Sequence, residues 1–255
     1  MRLIWGAREL VDPTEARSSE IASLIEDLVD ANHILFHQNV LDGFGHVSAR
    51  HPARADRFWL SRSMAPALVR AGDVLEFDSD GAVVRPDGRA VYLERFIHSE
   101  IYRVRPDVAA IVHAHSASVI PFGVVRGVRL GAVCHMCGFL GAGAPVFEIR
   151  DFAGDGSDLL IRDGNLGAAL AATLADAPAV LMRGHGVTVV GSTLRQAVFR
   201  AVYTEVGARL QAEASRLGPV TFLTPAEAAA AARTNDTQID RAWNLWRAGS
   251  AASTK

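Results

Sequence analysis

The stretch Ala109-Ala110-Ile111-Val112-His113-Ala114-His115 carries two signals at once. Its first half is a short apolar run with β-branched members, which predicts a buried strand. Its second half sets two histidines at i and i+2. Side chains alternate across a strand, so both imidazoles point to the same side. Two rings placed this way can reach one cation at about 2.0–2.1 Å. Further along, two apolar runs flank Arg183-Gly184-His185-Gly186. The paired glycines let the chain turn tightly and bring His185 close to a neighbour. His113, His115 and His185 are therefore the candidate metal ligands. Three protein ligands with a position left open are the layout of a catalytic site.

The chain around this core alternates between helical and strand periodicity. Ile21, Leu24, Ile25, Leu28 and Val29 fall on one helical face, predicting a helix over 19–38. Strands are predicted at 47–50, 58–61, 74–77 and 82–84, the last two joined by the turn Asp78-Ser79-Asp80-Gly81. A helix over 94–105 stops before Pro106. Helical segments are expected at 116–125 (interrupted at Pro121), 166–174 and 193–217, with terminal helices at 225–233 and 236–247. No repeat and no Pro- or Ser-rich linker interrupts the 255 residues. The expected architecture is one α/β domain over 1–255, with its core at about 20–230 and a mixed or mostly antiparallel sheet.

Composition removes several functions. Hydrophobic residues make up 49% and charged residues 21%, so the chain is an ordinary globular one. A formal net charge of −2 gives no electrostatic drive toward nucleic acid. The only lysine is Lys255, and all other basic residues are arginines. Schiff-base and pyridoxal phosphate chemistry need a lysine held in a pocket, and a P-loop needs an internal one. No pyridoxal phosphate and no nucleotide cofactor is expected. Residues 1–10 carry charges within any apolar run, so no secretory signal is read there, and no apolar stretch spans a membrane. A cytoplasmic protein is expected. Cys134 and Cys137 are too few to build a separate zinc site and read as two reduced thiols.

A second chemical cluster lies at Glu94-Arg95-Phe96-Ile97-His98, where Glu94 and His98 share a helix face. Together these pieces resemble the class II aldolase/adducin family. The resemblance rests on Gly45-His46-Val47-Ser48-Ala49-Arg50, Glu94-x-x-x-His98-x-x-x-Tyr102, Arg105-Pro106-Asp107, His113-Ala114-His115 and Gly184-His185-Gly186, in that order. It implies an α/β/α fold around a mixed, largely antiparallel sheet. It implies His113, His115 and His185 as ligands of one divalent ion (Zn²⁺ or Mn²⁺, with Fe²⁺ or Co²⁺ also compatible) and Glu94 as the acid/base residue beside it. It also implies a homotetramer with active sites at subunit interfaces.

The departures from the family pattern speak to substrate. Its sugar-phosphate aldolases hold phosphate with Gly-Asn-x-Ser, Thr-Pro-Ser-Gly and Pro-Ser-Ser-Glu loops. Here those positions read Gly45-His46-Val47-Ser48, Ser61-Arg62-Ser63-Met64 and Tyr92-Leu93-Glu94. The loss of hydroxyl donors argues against a phosphate dianion. Arg62 suits a carboxylate, which its planar fork binds bidentately. The resemblance is to the branch that decarboxylates hydroxylated pyridine and aromatic dicarboxylates. On that reading Arg62, His46, Ser48, Ser61, Tyr92 and His98 are substrate-binding candidates, and Glu94 or His135 protonates the product carbon. The alternative is a metal-dependent sugar-phosphate or sugar-acid aldolase or epimerase.

Overall fold

A computed structural model describes residues 13–253. The segment 1–10 and Lys255, both used in reading the sequence, lie outside the described residues. The elements run α1 (Pro13–His37), β1 (His46–Arg50), β2 (Arg57–Ser61), β3 (Val74–Asp78), α2 (Arg95–Val104), β4 (Ala110–Ala114), α3 (Ile120–Val124), β5 (Val146–Phe147), α4 (Arg150–Ala153), α5 (Gly164–Leu174), β6 (Ala179–Met182), β7 (Gly186–Gly191), α6 (Leu194–Leu217), α7 (Pro225–Asp236) and α8 (Ile239–Ser253). Seven strands form one sheet in the order β3-β2-β1-β4-β7-β6-β5. Every pairing is antiparallel except β5 with β6. The α/β/α fold around a mixed, largely antiparallel sheet is thus as expected.

Period-two alternation divides the sheet between two cores. Val47, Ala49, Ala110, Val112, Val187 and Val189 point to one face and pack on residues of α1, α6 and α8, Trp243 among them. Phe58, Leu60, Phe77 and Ile111 point to the other and meet Ile97 and Ile101 of α2 and Leu170 of α5. Helix starts follow local chemistry. Thr193 accepts from the Gln196 amide to cap α6, and Asp163 accepts from Leu166 to cap α5. Thr224 and Glu227 form a reciprocal capping box around Pro225 at the start of α7. Each such cap contributes about 1 kcal/mol. No helix among the described residues is long and apolar enough to cross a membrane.

Three local readings change. The turn after Asp78 forms, but residues 82–84 add only a single bridge, Phe77 to Val83, because Pro86 follows and carries no amide for a ladder. The helix expected over 116–125 contracts to α3, with Pro121 in its first turn. The two-residue β5 is too short to show any periodicity in sequence.

The sheet centre brings two strands unusually close. A Cβ at Gly186 would lie 2.1 Å from the Ala114 carbonyl oxygen of β4. Gly184 is different: its φ of +68° requires the left-handed region, but a Cβ there would meet nothing nearer than 3.6 Å. Gly186→Ala must push β4 and β7 apart and should destabilise by about 1–3 kcal/mol. Gly184→Ala pays only the local backbone strain, about 1–2 kcal/mol. In thermal unfolding, Gly186→Ala is expected to lower Tm more than Gly184→Ala.

Candidate active site

Three elements deliver the central side chains. His113 sits in β4 and His115 just beyond its end; His185 immediately precedes β7. Register places His113 opposite His46 on one side and opposite Thr188 on the other. Glu94 stands at the N-terminus of α2, which lies over the same face. One ligand atom from each of Glu94, His113, His115 and His185 falls within 4.8 Å of all the others. Nε2 of His115 is 2.9 Å from Nε2 of His185 and 3.3 Å from Nε2 of His113. Oε2 of Glu94 is 3.4 Å from His113 Nε2 and 3.5 Å from His185 Nε2. His113 is fully buried and Glu94 nearly so.

This crowding fits a cation. His185 Nδ1 lies 2.9 Å from the Leu159 carbonyl, which can only accept. Nδ1 therefore carries a proton, and in the neutral ring Nε2 turns its lone pair to the centre. Glu94 Oε1 accepts from the Ile161 amide at 3.1 Å, leaving Oε2 to face the histidines. Burial opposes the charge on Glu94, but the His113 and His185 rings outweigh it and hold its carboxyl well below the usual range. Burial likewise lowers His115, to about 4. Three imidazoles and a carboxylate, electron-rich atoms inward, are a donor set for a divalent transition metal ion.

A cavity of about 520 Å³ opens beside the cluster, a size common for small-molecule sites. Phe44, His46, Met64, Tyr92 and Leu93 line it together with Glu94 and His115. The Tyr92 ring lies 4.6 Å from that of His46, and Phe44 lies 6.2 Å from His115. Burial raises the Tyr92 phenol, whose hydroxyl donates to the Met64 carbonyl at 2.6 Å.

The other expected site residues divide. His46 and Tyr92 are on the cavity wall. Ser61 is buried behind it, 3.2 Å from the Tyr92 hydroxyl. Ser48 and His98 are also fully buried, hydrogen-bonded to one another at 2.6 Å, because β1 turns Ser48 inward against α2. These three support the wall and do not line it. Arg62 is likewise off the wall: its Nε donates to Asp73 at 2.7 Å, across the chain turn that joins β2 to β3. His135 lines a different cavity, with Tyr203, Asn235 and Trp246, because its short 3-10 helix packs against α6 and α7. Beside it Cys134 and Cys137 are free thiols, their Sγ atoms in hydrogen-bond contact at 3.0 Å. Leu159, Ile161 and Phe44 had no marking signal in the sequence. The first two act through backbone atoms, which residue type does not reveal.

Comparison with known proteins agrees with this geometry. Residues 26–212 match the model of the Class II Aldolase and Adducin N-terminal domain. The chain belongs to the class II aldolase and adducin family. The decarboxylase tropJ of Talaromyces stipitatus is 39% identical over 245 residues, covering 87% of this chain and 92% of that protein. A 3,4-dihydroxyphthalate decarboxylase of a Terrabacter species is 30% identical, covering 80% of this chain and 86% of its own. The L-fuculose 1-phosphate aldolase of Glaciozyma antarctica shares the fold, with a TM-score of 0.75, 23% identity and coverage of 94% and 93% of the two chains. Within the family the chain sides with its decarboxylase branch and is a lyase.

Leu159 adopts a φ of +70°, in the left-handed region that a leucine seldom occupies. Proline cannot reach that angle. Leu159→Pro should therefore displace the carbonyl that orients His185 and weaken Zn²⁺ binding by about 10–100-fold, with far-UV circular dichroism unchanged. His113→Ala should abolish stoichiometric binding altogether. Titration of the chelator-stripped protein followed by metal analysis measures both.

Proposed function

We propose that this chain is a divalent-metal-dependent decarboxylase of a hydroxylated aromatic or heteroaromatic dicarboxylate. The observation that carries the reading is the junction of two features: a three-histidine, one-glutamate cluster, and an adjoining wall in which Tyr92 and Leu93 stand where the family's sugar-phosphate aldolases carry serines. That wall suits a flat ring. The two relatives in sequence named above are decarboxylases, one of them of 3,4-dihydroxyphthalate.

His113, His115 and His185 would hold the ion, Zn²⁺ or Mn²⁺ on the donor set, with Glu94 beside it. When bound, it would supply a Lewis acid that favours electron flow away from the breaking bond. Phe44 and Tyr92 would flank the ring and fix its plane. Glu94, kept charged by its histidine neighbours, would take a proton from the ring hydroxyl and return it to the carbon that loses CO₂. Arg62, paired with Asp73 and off the cavity wall, would not hold the second carboxylate. His135 cannot protonate the product within its own chain, since it opens onto another cavity. Its role would require a second copy, in line with a homotetramer whose sites lie between subunits.

The direct test is CO₂ release by metal-loaded protein from a panel of ortho-hydroxylated phthalates and pyridine dicarboxylates, with a chelator control. Chelator-sensitive release is expected. Retro-aldol cleavage of a phosphorylated ketose with no CO₂ release would replace this reading by the aldolase alternative. Glu94→Gln should slow kcat about 100-fold or more, with KM little changed. With Arg62 off the cavity wall, Arg62→Ala should change KM for a diacid and a monoacid about equally.

A further inference from the structure

Behind the cavity a chain of four hydrogen-bonded side chains runs between β1 and α2. The Tyr102 hydroxyl is 2.8 Å from Ser48 Oγ. Ser48 Oγ is 2.6 Å from His98 Nδ1, and His98 Nε2 is 2.6 Å from His46 Nδ1. All four residues are buried, Ser48 and His98 completely. Tyr102 is pinned at the far end: Arg50 lies over its ring at 4.6 Å and donates to its carbonyl.

The direction of this chain can be worked out. Burial lowers His98 to about 3, so its ring is neutral and carries one proton. A neutral imidazole donates through one nitrogen and accepts through the other. Three arrangements satisfy the contacts. In one of them Ser48 Oγ accepts from both Tyr102 and His98 Nδ1, which leaves the buried Ser48 hydroxyl proton without an acceptor. In the other two every hydrogen bond in the chain runs in the same sense. In one sense Tyr102 donates to Ser48, Ser48 to His98 Nδ1, and His98 Nε2–H to His46 Nδ1. The proton of His46 is then on Nε2. In the opposite sense the Tyr102 hydroxyl must donate elsewhere, and among the described residues it has no partner except Ser48. A buried donor without an acceptor is unfavourable, so the first sense is preferred. His46 lines the cavity, and its Nε2 has no protein partner among the described residues. No arginine lines that cavity.

We propose that Tyr102, Ser48 and His98 are positioning residues that hold His46 with its proton on Nε2, as a donor to an acidic group of the substrate. The role of the donor rests on the acid-binding reading of the cavity; its tautomer rests on the hydrogen-bond chain alone. That separates the two tests.

Neutron diffraction from deuterated crystals of the Zn²⁺-loaded full chain locates the protons. Deuterium is expected on Nε2 of both His46 and His98, with the Tyr102 deuterium directed at Ser48. Deuterium on His46 Nδ1 would overturn the proposal, whatever the substrate proves to be. Phthalate is the probe for the donor role, its affinity measured by calorimetry. Ser48→Ala releases the direction of the chain and should weaken phthalate about tenfold at unchanged metal content, and Ser48→Thr should restore it. Equal phthalate affinity in Ser48→Ala and the parent would remove the donor role. Failure of the parent to bind phthalate at all, with deuterium found on His46 Nε2, would discard the dicarboxylate reading and the assigned ligand while keeping the tautomer.

Discussion

Four electron-rich atoms held within 4.8 Å of one another are the constraint around which this molecule is organised. Lone pairs on three imidazoles and a carboxylate oxygen repel unless a positive charge sits among them. Holding them together in a mostly buried place is unfavourable by itself, so the surrounding structure has to enforce it. The enforcement is visible in the backbone. β4 and β7 approach so closely at Gly186 that no side chain fits between them. The two strands supply the histidines, and the start of α2 drops the carboxylate onto them from the second layer.

The same constraint explains why one face of the sheet is polar at its centre. Alternation sends His46, Ser48 and His113 toward α2, into a core otherwise built of Phe58, Ile97, Ile101 and Ile111. From α2, His98 and Tyr102, at successive turns from Glu94, match Ser48 Oγ and His46 Nδ1. A single helix therefore carries the carboxylate of the four-residue cluster and two members of the buried hydrogen-bond chain. Their spacing of four residues is what keeps them on one side.

Much of this was legible in the sequence because it depends on periodicity. His113 and His115 share a side of a strand, Glu94 and His98 share a side of a helix, and His185 stands between glycines; those patterns survive without coordinates. What could not be read depends on contacts between distant segments. Ser48, Ser61 and His98 look like wall residues from their motifs, yet each is covered by a neighbour, and only the packing of α2 on β1 and of Tyr92 on β2 decides that. Arg62 has the chemistry for a carboxylate, but Asp73, eleven residues on, reaches its Nε first. His135 carries the right side chain on a segment that α6 and α7 hold elsewhere. The backbone atoms of Leu159 and Ile161 leave no mark in the sequence.

That last pair has a consequence for how the protein responds to its surroundings. Two residues apart in one loop, they fix His185 through a carbonyl and Glu94 through an amide. The loop and the candidate metal site thus share one local folding equilibrium. Any ion bound by those two side chains also ties down the segment that orients them, and losing the ion loosens both anchors together. Amide exchange and protease cleavage in this segment then become reporters of metal occupancy, read from a stretch of chain that contributes no ligand of its own.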